Sequence, residues 1–243
     1  MATPLTLDQA TPLHILAVSG LSLALYAPLA GALARRGGGK AAEAELAALG
    51  SYPGVVGTLK RTYASGGLRA VYRGTSVLAV RFAQVLFVTL AAAHATRPAH
   101  ATSDTETNHY LLAVALALGL SVLATYPLFA LHVAAVLAPA GVSTLDAVKG
   151  TPRRVATGGA ALGAGVLQAL TALCWSVHPV FWLAWPRVRP TGVMVAIFVA
   201  VASGLTALSL KYQGEAAGVV AAQLEAAERT GAGEAGAPLT AEV

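Results

Sequence analysis

Arg81 is a lone cation inside the apolar stretch "TSVLAVRFAQVLFVTLAAAHA". A guanidinium there can ligate an anion, because its N–H donors form a fixed fork. A charge at mid-membrane costs about 2.5–3.5 kcal/mol on insertion scales. The residues above it on the same helical face, Val85, Thr89 and Ala93, bring almost nothing polar to such a site. Arg81 also lies near the basic end of its segment, where a snorkelling side chain reaches the headgroup layer. The histidines are a second candidate. His14, His94 and His178 fall near one membrane face and His132 near the other. A b-type haem needs two facing histidines at similar depth, and nothing in their spacing demands it. Cys174 and His178 stand one helical turn apart and share a face. With no carboxylate nearby and a proline directly after, a buried thiol and an interfacial imidazole are the plainer reading. "GGAALGAG", Gly158 to Gly165, has the glycines of a phosphate loop but not its Lys-Ser/Thr. Gly159 and Gly163 keep the small-xxx-small spacing of close helix packing, and Gly20, Gly119 and Gly204 point the same way.

These residues need apolar elements to carry them. The chain of 243 residues is 56% hydrophobic and 11% charged, with a mean hydropathy of +0.66; soluble domains carry about 25% charge. A spanning helix needs roughly 20 mostly apolar residues. Five segments qualify: 13–34, 77–95, 110–137, 160–183 and 192–210. Helices are expected because lipid cannot satisfy an open backbone. The reading is an all-α integral membrane protein. One cysteine excludes an intrachain disulfide and argues against a structural zinc site. The net charge of +5 reads as loop orientation and contact with anionic lipid. It does not read as nucleic-acid binding, since no basic run is interleaved with aromatics.

The loop after the first segment holds Arg35, Arg36, Lys40, Lys60, Arg61, Arg69 and Arg73. The loop after the third holds Lys149, Arg153 and Arg154, whereas the loop after the second holds Arg97 against Asp104 and Glu106. The positive-inside rule puts the two basic loops on one face and the N-terminus on the other, with Arg187 and Arg189 as exceptions. "MATPLTLDQATP" has no basic residue, so it matches neither a signal peptide nor an Arg-rich transit peptide. After Leu210 an acidic helical pattern predicts a separate surface helix, with Glu225 and Arg229 one turn apart. The end, "GAGEAGAPLTAEV", reads as a flexible tail.

The most informative stretch is "GGLRAVYRG", Gly66 to Gly74. Before it, Val55, Val56, Leu59 and Tyr63 recur at helical spacing, with Lys60 and Arg61 on another face. That pattern predicts a short amphipathic helix at the membrane surface. The glycines stop it and let the chain turn. Tyr72 and Arg73 suit the headgroup layer.

The segment from Tyr52 to Ala83 resembles the matrix helix and following loop of the mitochondrial carrier family. There an aromatic, a basic residue and a glycine open each even helix, just after an acidic–glycine pair. Tyr72, Arg73 and Gly74 match the triplet; Gly66-Gly67 keeps the glycine and lacks the acid. Leu68, Ala70, Val71 and Arg81 also fit. The family's odd helices end in Pro-x-Asp/Glu-x-x-Lys/Arg-x-Lys/Arg. "PLAGALAR" keeps Pro28 and Arg35, with Ala30 and Leu33 in charged places. "YPLFALHVA" keeps Pro127, with Phe129, His132 and Ala134 there. "TALSLKYQG" has no proline, and in "FWLAWPR" Trp182 and Trp185 follow Phe181 where charges belong.

The resemblance implies a mitochondrial-carrier-like bundle of about five transmembrane helices plus short amphipathic surface helices. Its repeats would cover residues 1–100, 101–188 and, in part, 189–243. Six helices enclose a carrier's cavity, and five are not expected to close one. Without charged gates the resemblance implies a non-enzymatic, non-transporting, supernumerary subunit of a respiratory complex in the mitochondrial inner membrane. Cytochrome c oxidase or a supercomplex comes ahead of ATP synthase. The N-terminus would face the intermembrane space, and the partners would be other membrane subunits and phospholipid. The alternatives are an oligomeric working carrier and an unrelated five-helix protein. The family binds cardiolipin near its matrix-helix N-termini, which implies Arg73, Gly74 and Thr75 as a lipid site and no other cofactor. Arg81 stands where carriers present polar groups to the cavity.

Overall fold

The computed structural model describes residues 12–37, 54–96, 104–139, 141–184 and 192–235. The order is α1 Pro12–Gly37, α2 Val55–Val71, α3 Thr75–Ala95, α4 Asp104–Ala124, α5 Pro127–Leu137, α6 Thr144–Gly150, α7 Arg153–Ala156, α8 Gly159–Ala184 and α9 Gly192–Ala235. Among the described residues there is no strand. Three helical stretches there, Thr75–Ala95, Arg153–Cys174 and Met194–Thr230, are long and apolar enough to cross a membrane; the bent pair Leu112–Ala124 and Pro127–Leu137 makes a fourth. Their outer faces carry large apolar residues, with Phe87, Leu120 and Ile197 all at least 60% exposed. Patches of that size suit lipid, not water. The chain is a multi-pass helical membrane protein.

Two expectations about continuity fail. Segment 110–137 is not one helix: α4 and α5 meet at a bend of 48°. Pro127 sits at the start of α5, and a proline cannot supply the N–H that would continue the ladder. Conversely, no break follows Leu210. The predicted surface helix is the second half of α9, a single helix of 44 residues. At 1.5 Å per residue it is about 66 Å long, roughly twice the ~30 Å hydrocarbon core. The half beyond Leu210 carries two exposed one-turn ion pairs, Lys211–Glu215 and Arg229–Glu225, and lies at the basic end. Residues 236–243 of the predicted tail lie outside the described residues.

The long helices close into a ring. α1 packs on α3, α3 on α4 and α5, α4 on α8, α8 on α9, and α9 back on α1. The expectation that five helices cannot close is overturned at the basic end. There the second halves of α1 and α9 and the short α5 converge, and their core is made of small residues. Ala34, Ala130, Val133, Val136, Ala216, Ala217 and Val220 are all nearly inaccessible. Gly37 lies directly against the backbone of Gly214 and Gly218. Elsewhere the glycines divide. Gly119 packs on Leu173, Gly163 on the Tyr212 ring and Gly165 on Tyr126, as close helix packing requires. Gly20, Gly159 and Gly204 have nothing within 4 Å of a Cβ, so among the described residues they are not packing glycines.

The connections repeat. A long helix, one or two short helices at the basic end and a second long helix occur as α1–α2–α3 and again as α4/α5–α6–α7–α8. α2 breaks at Gly66 and Gly67, where the helical dihedrals stop and Gly67 takes φ +61°. That is the turn expected of these glycines. The face α2 presents to the bundle is a surprise. Gly57, Thr58 and Thr62 are buried, whereas Val56 and Tyr63 are 66% and 58% exposed. The apolar face therefore points outward, the orientation of a helix lying in the membrane interface.

Candidate functional site

The stretch Leu68–Gly74 ties the basic end together through hydrogen bonds that residue types alone do not reveal. Pro28 lies inside α1 and has no N–H, which leaves the carbonyl of Ala24 without its helical donor. The Tyr72 hydroxyl donates to that carbonyl at 3.3 Å. Arg35 Nη2, at the end of α1, donates to Ala70 O at 3.2 Å. Arg73 Nη2 donates to Pro139 O at 2.7 Å and Val142 O at 2.9 Å, clamping the loop after α5. Gly74 takes φ +79° at the N-cap of α3, and its carbonyl meets His132 Nδ1 at 3.2 Å. Thr75 Oγ1 donates to Tyr72 O at 2.6 Å.

The three residues implied as a lipid site thus come together at one helix N-terminus, each with an intramolecular partner. Tyr72 is 39% exposed, and Arg73 and Thr75 bond at the surface, so a headgroup can still approach. Replacing Arg73 by alanine removes two charge-assisted bonds, each worth about 1.5–3 kcal/mol when buried and less at an exposed site. The expected result is a Tm lowered by several degrees, with protease cleavage near Gly141, read by thermal denaturation and limited proteolysis.

Arg81 is neither snorkelling nor facing an open cavity. It is 7% exposed. Its Nε donates to Thr125 Oγ1 and its Nη2 to Val122 O, both at 3.2 Å. The bend explains the acceptor. Tyr126 N–H turns to Leu123 O, so Val122 O loses the partner of a regular helix and takes Arg81 and the Thr125 hydroxyl instead. Thr89, on the arginine's own helix, bonds back to Val85 O and adds nothing. The polar company comes from other helices. Tyr26, His132, Gln168 and Gln213 line a small cavity with Arg81, alongside Ala30, Leu33, Leu78 and Phe129.

That cluster is what sequence reasoning missed. Gln168 Nε2 donates to the Tyr26 hydroxyl at 3.4 Å, and Tyr26 donates to Gln213 Oε1 at 2.8 Å. Gln213 Nε2 donates to Ser209 Oγ at 3.2 Å. The chain of donors links α8, α1 and α9 across the bundle. One signal was available: Gln168 and Gln213 are uncharged polar residues on helices otherwise rich in Ala, Leu and Val. Such residues in membrane helices bond to neighbouring helices.

Of the remaining candidates, His94 and His132 do not come together. His94 is exposed near the far end of α3, whereas His132 is held at its near end by Gly74. About 20 residues of helix, roughly 30 Å, separate them. The side chains of His14, His178, Phe181 and Trp182 lie outside the described residues, as does Trp185. Cys174 is half-buried. Among the described residues no three His, Cys, Asp or Glu side chains come together as metal ligands. No family model, curated protein or solved structure matches the chain.

Proposed function

We propose that the protein is a carrier-derived membrane scaffold that does not transport. In this reading it is a supernumerary subunit of a respiratory complex in the mitochondrial inner membrane, cytochrome c oxidase or a supercomplex, with its N-terminus in the intermembrane space. One observation carries the reading. Where α1, α5 and α9 converge, the contact is made of Ala34, Val133, Val136, Ala217 and Val220. A carrier-type gate opens and closes by exchanging ion pairs, whose cost and gain nearly balance. An alanine–valine–glycine seam has no such exchange and stays shut. The exposed apolar faces of α3 and the first half of α9 supply surface for neighbouring subunits and lipid. Cardiolipin, a doubly anionic lipid, suits the α3 N-terminus around Arg73, Gly74 and Thr75 through the helix dipole and the nearby cation.

A second reading is favoured by one feature. Arg81 is buried beside several polar side chains, as an anion transporter would require. Reconstitution separates the two. Liposomes loaded with a nucleotide or a keto acid are expected to show no exchange above protein-free vesicles, for the wild type and for Arg81→Met alike. Exchange by the wild type that falls tenfold or more in Arg81→Met would establish the transporter instead.

A further inference from the structure

The Arg81 cavity contains an unspent pair of acceptors. His132 Nε2 and Gln168 Oε1 are buried and have no hydrogen-bond partner among the described residues, and both residues line this cavity. Their chemical state follows from their other bonds. His132 Nδ1 faces a carbonyl, Gly74 O, which can only accept, so Nδ1 carries the proton. In that neutral tautomer Nε2 is an acceptor. Gln168 spends its NH2 on the Tyr26 hydroxyl, which is itself committed as a donor to Gln213; that fixes the amide so that its oxygen is the free atom. On the third side lies the Arg81 guanidinium. Its Nε and Nη2 are bonded to Thr125 and Val122, and it keeps further N–H groups.

Two acceptors and one cationic donor define what fits between them. A metal or ammonium ion is repelled by Arg81. A chloride is repelled by two lone pairs. A neutral molecule that donates twice and accepts once satisfies all three. The cavity volume is about 10 Å³, and a cavity needs roughly 10–15 Å³ to hold one water. We propose that this cavity is a single-water site. The water donates to His132 Nε2 and Gln168 Oε1 and accepts from Arg81, so one molecule joins α3, α5 and α8 at the level where the bundle closes. It also extends the Gln168–Tyr26–Gln213–Ser209 chain to the His132–Gly74 contact, which ties α1 and α9 into the same network. The inference is independent of whether the protein transports.

Two measurements on the full chain in lipid nanodiscs test it. The imidazole nitrogens of His132, assigned by comparing wild type with His132→Phe in ¹⁵N NMR, should report a protonated Nδ1 and an unprotonated, hydrogen-bonded Nε2. A high-resolution map should show one solvent-sized peak within hydrogen-bond distance of His132 Nε2, Gln168 Oε1 and Arg81. A proton on Nε2, or an empty cavity in a map that resolves other buried waters, would overturn the proposal. So would a peak too large for water. Thermal denaturation adds a check that does not need either single variant to be mild. His132→Phe and Gln168→Leu should be non-additive, the double variant melting no lower than the worse single one, because either change already evicts the shared water. Additive losses in Tm would count against it.

Discussion

Replacing Gly37 by leucine is expected to cut the yield of folded protein in the membrane and to destabilise what remains. A side chain at Gly37 would run into the carbonyl of Gly214 and the backbone nitrogen of Gly218, and Gly218 in turn lies against Gly37 O. These are main-chain atoms of α9, so no rotamer change relieves the clash. The two helices must separate over the seam that holds Ala34 against Ala216 and Ala217. Overpacking commonly costs about 1–3 kcal/mol, and this case belongs at or above the top of that range. At roughly 2–4 °C per kcal/mol for a chain of this size, the Tm should fall by about 10 °C or more. Gly20→Leu and Gly204→Leu are the controls, since nothing lies within 4 Å of a Cβ at either position. Both should accumulate normally and melt near the wild type. Fluorescence-detected size exclusion and a thermal ramp in detergent would read all three.

The second large effect is expected at Gly74. Its φ of +79° lies in the left-handed region, which disfavours an L side chain by roughly 1–2 kcal/mol. A Cβ there would also stand 3.0 Å from His132 Nδ1 and 3.0 Å from Val136 Cγ2. The ring would be pushed off the Gly74 carbonyl, and with it the contact that joins α3 to α5. Gly141 separates the two contributions. It has φ +97° and nothing within 4 Å of a Cβ, so Gly141→Ala carries the backbone strain alone. Gly74→Ala should therefore lower the Tm about twice as far as Gly141→Ala. If the α3 N-terminus holds cardiolipin, native mass spectrometry should also show Gly74→Ala and Arg73→Ala losing a bound lipid that Gly141→Ala keeps.

The spanning elements were legible because lipid imposes a length and a composition on them. α3 and α8 fall almost where their apolar runs do. The breaks were harder to read. Pro28 and Pro127 have the same chemistry, yet α1 runs on through Pro28 while the α4–α5 pair bends at Pro127. At Pro28 the freed Ala24 carbonyl is satisfied by Tyr72 from a distant turn, and that rescue depends on tertiary placement. The end of the fifth segment was misread for a related reason. Lys211 and Glu215 make α9 polar without ending it, and polarity alone does not say whether a helix stops or continues.

The site was legible only in part. Arg81 stood out as a charge in an apolar run, and Gly74 and Arg73 stood out by type. Their partners are a carbonyl released by a helix bend, two loop carbonyls and a histidine from α5. A carbonyl has no signature in a sequence. Tyr26, Gln168 and Gln213 lie 142 to 187 residues apart along the donor chain that links them, so spacing could not bring them together. The glycines of Gly66–Gly74 did mark the turn into α3. Tyr72 and Arg73, whose types suit the headgroup layer, also hydrogen-bond to the protein.

The proposed closed scaffold, held in a larger assembly, can be checked by extracting the protein from its native membrane in mild detergent and resolving it on a native gel with quantitative mass spectrometry. It is expected to migrate at the size of a respiratory complex, at fixed stoichiometry with that complex's subunits, with none of it left as free monomer. Migration as a monomer or small homo-oligomer, free of any respiratory subunit, would contradict it.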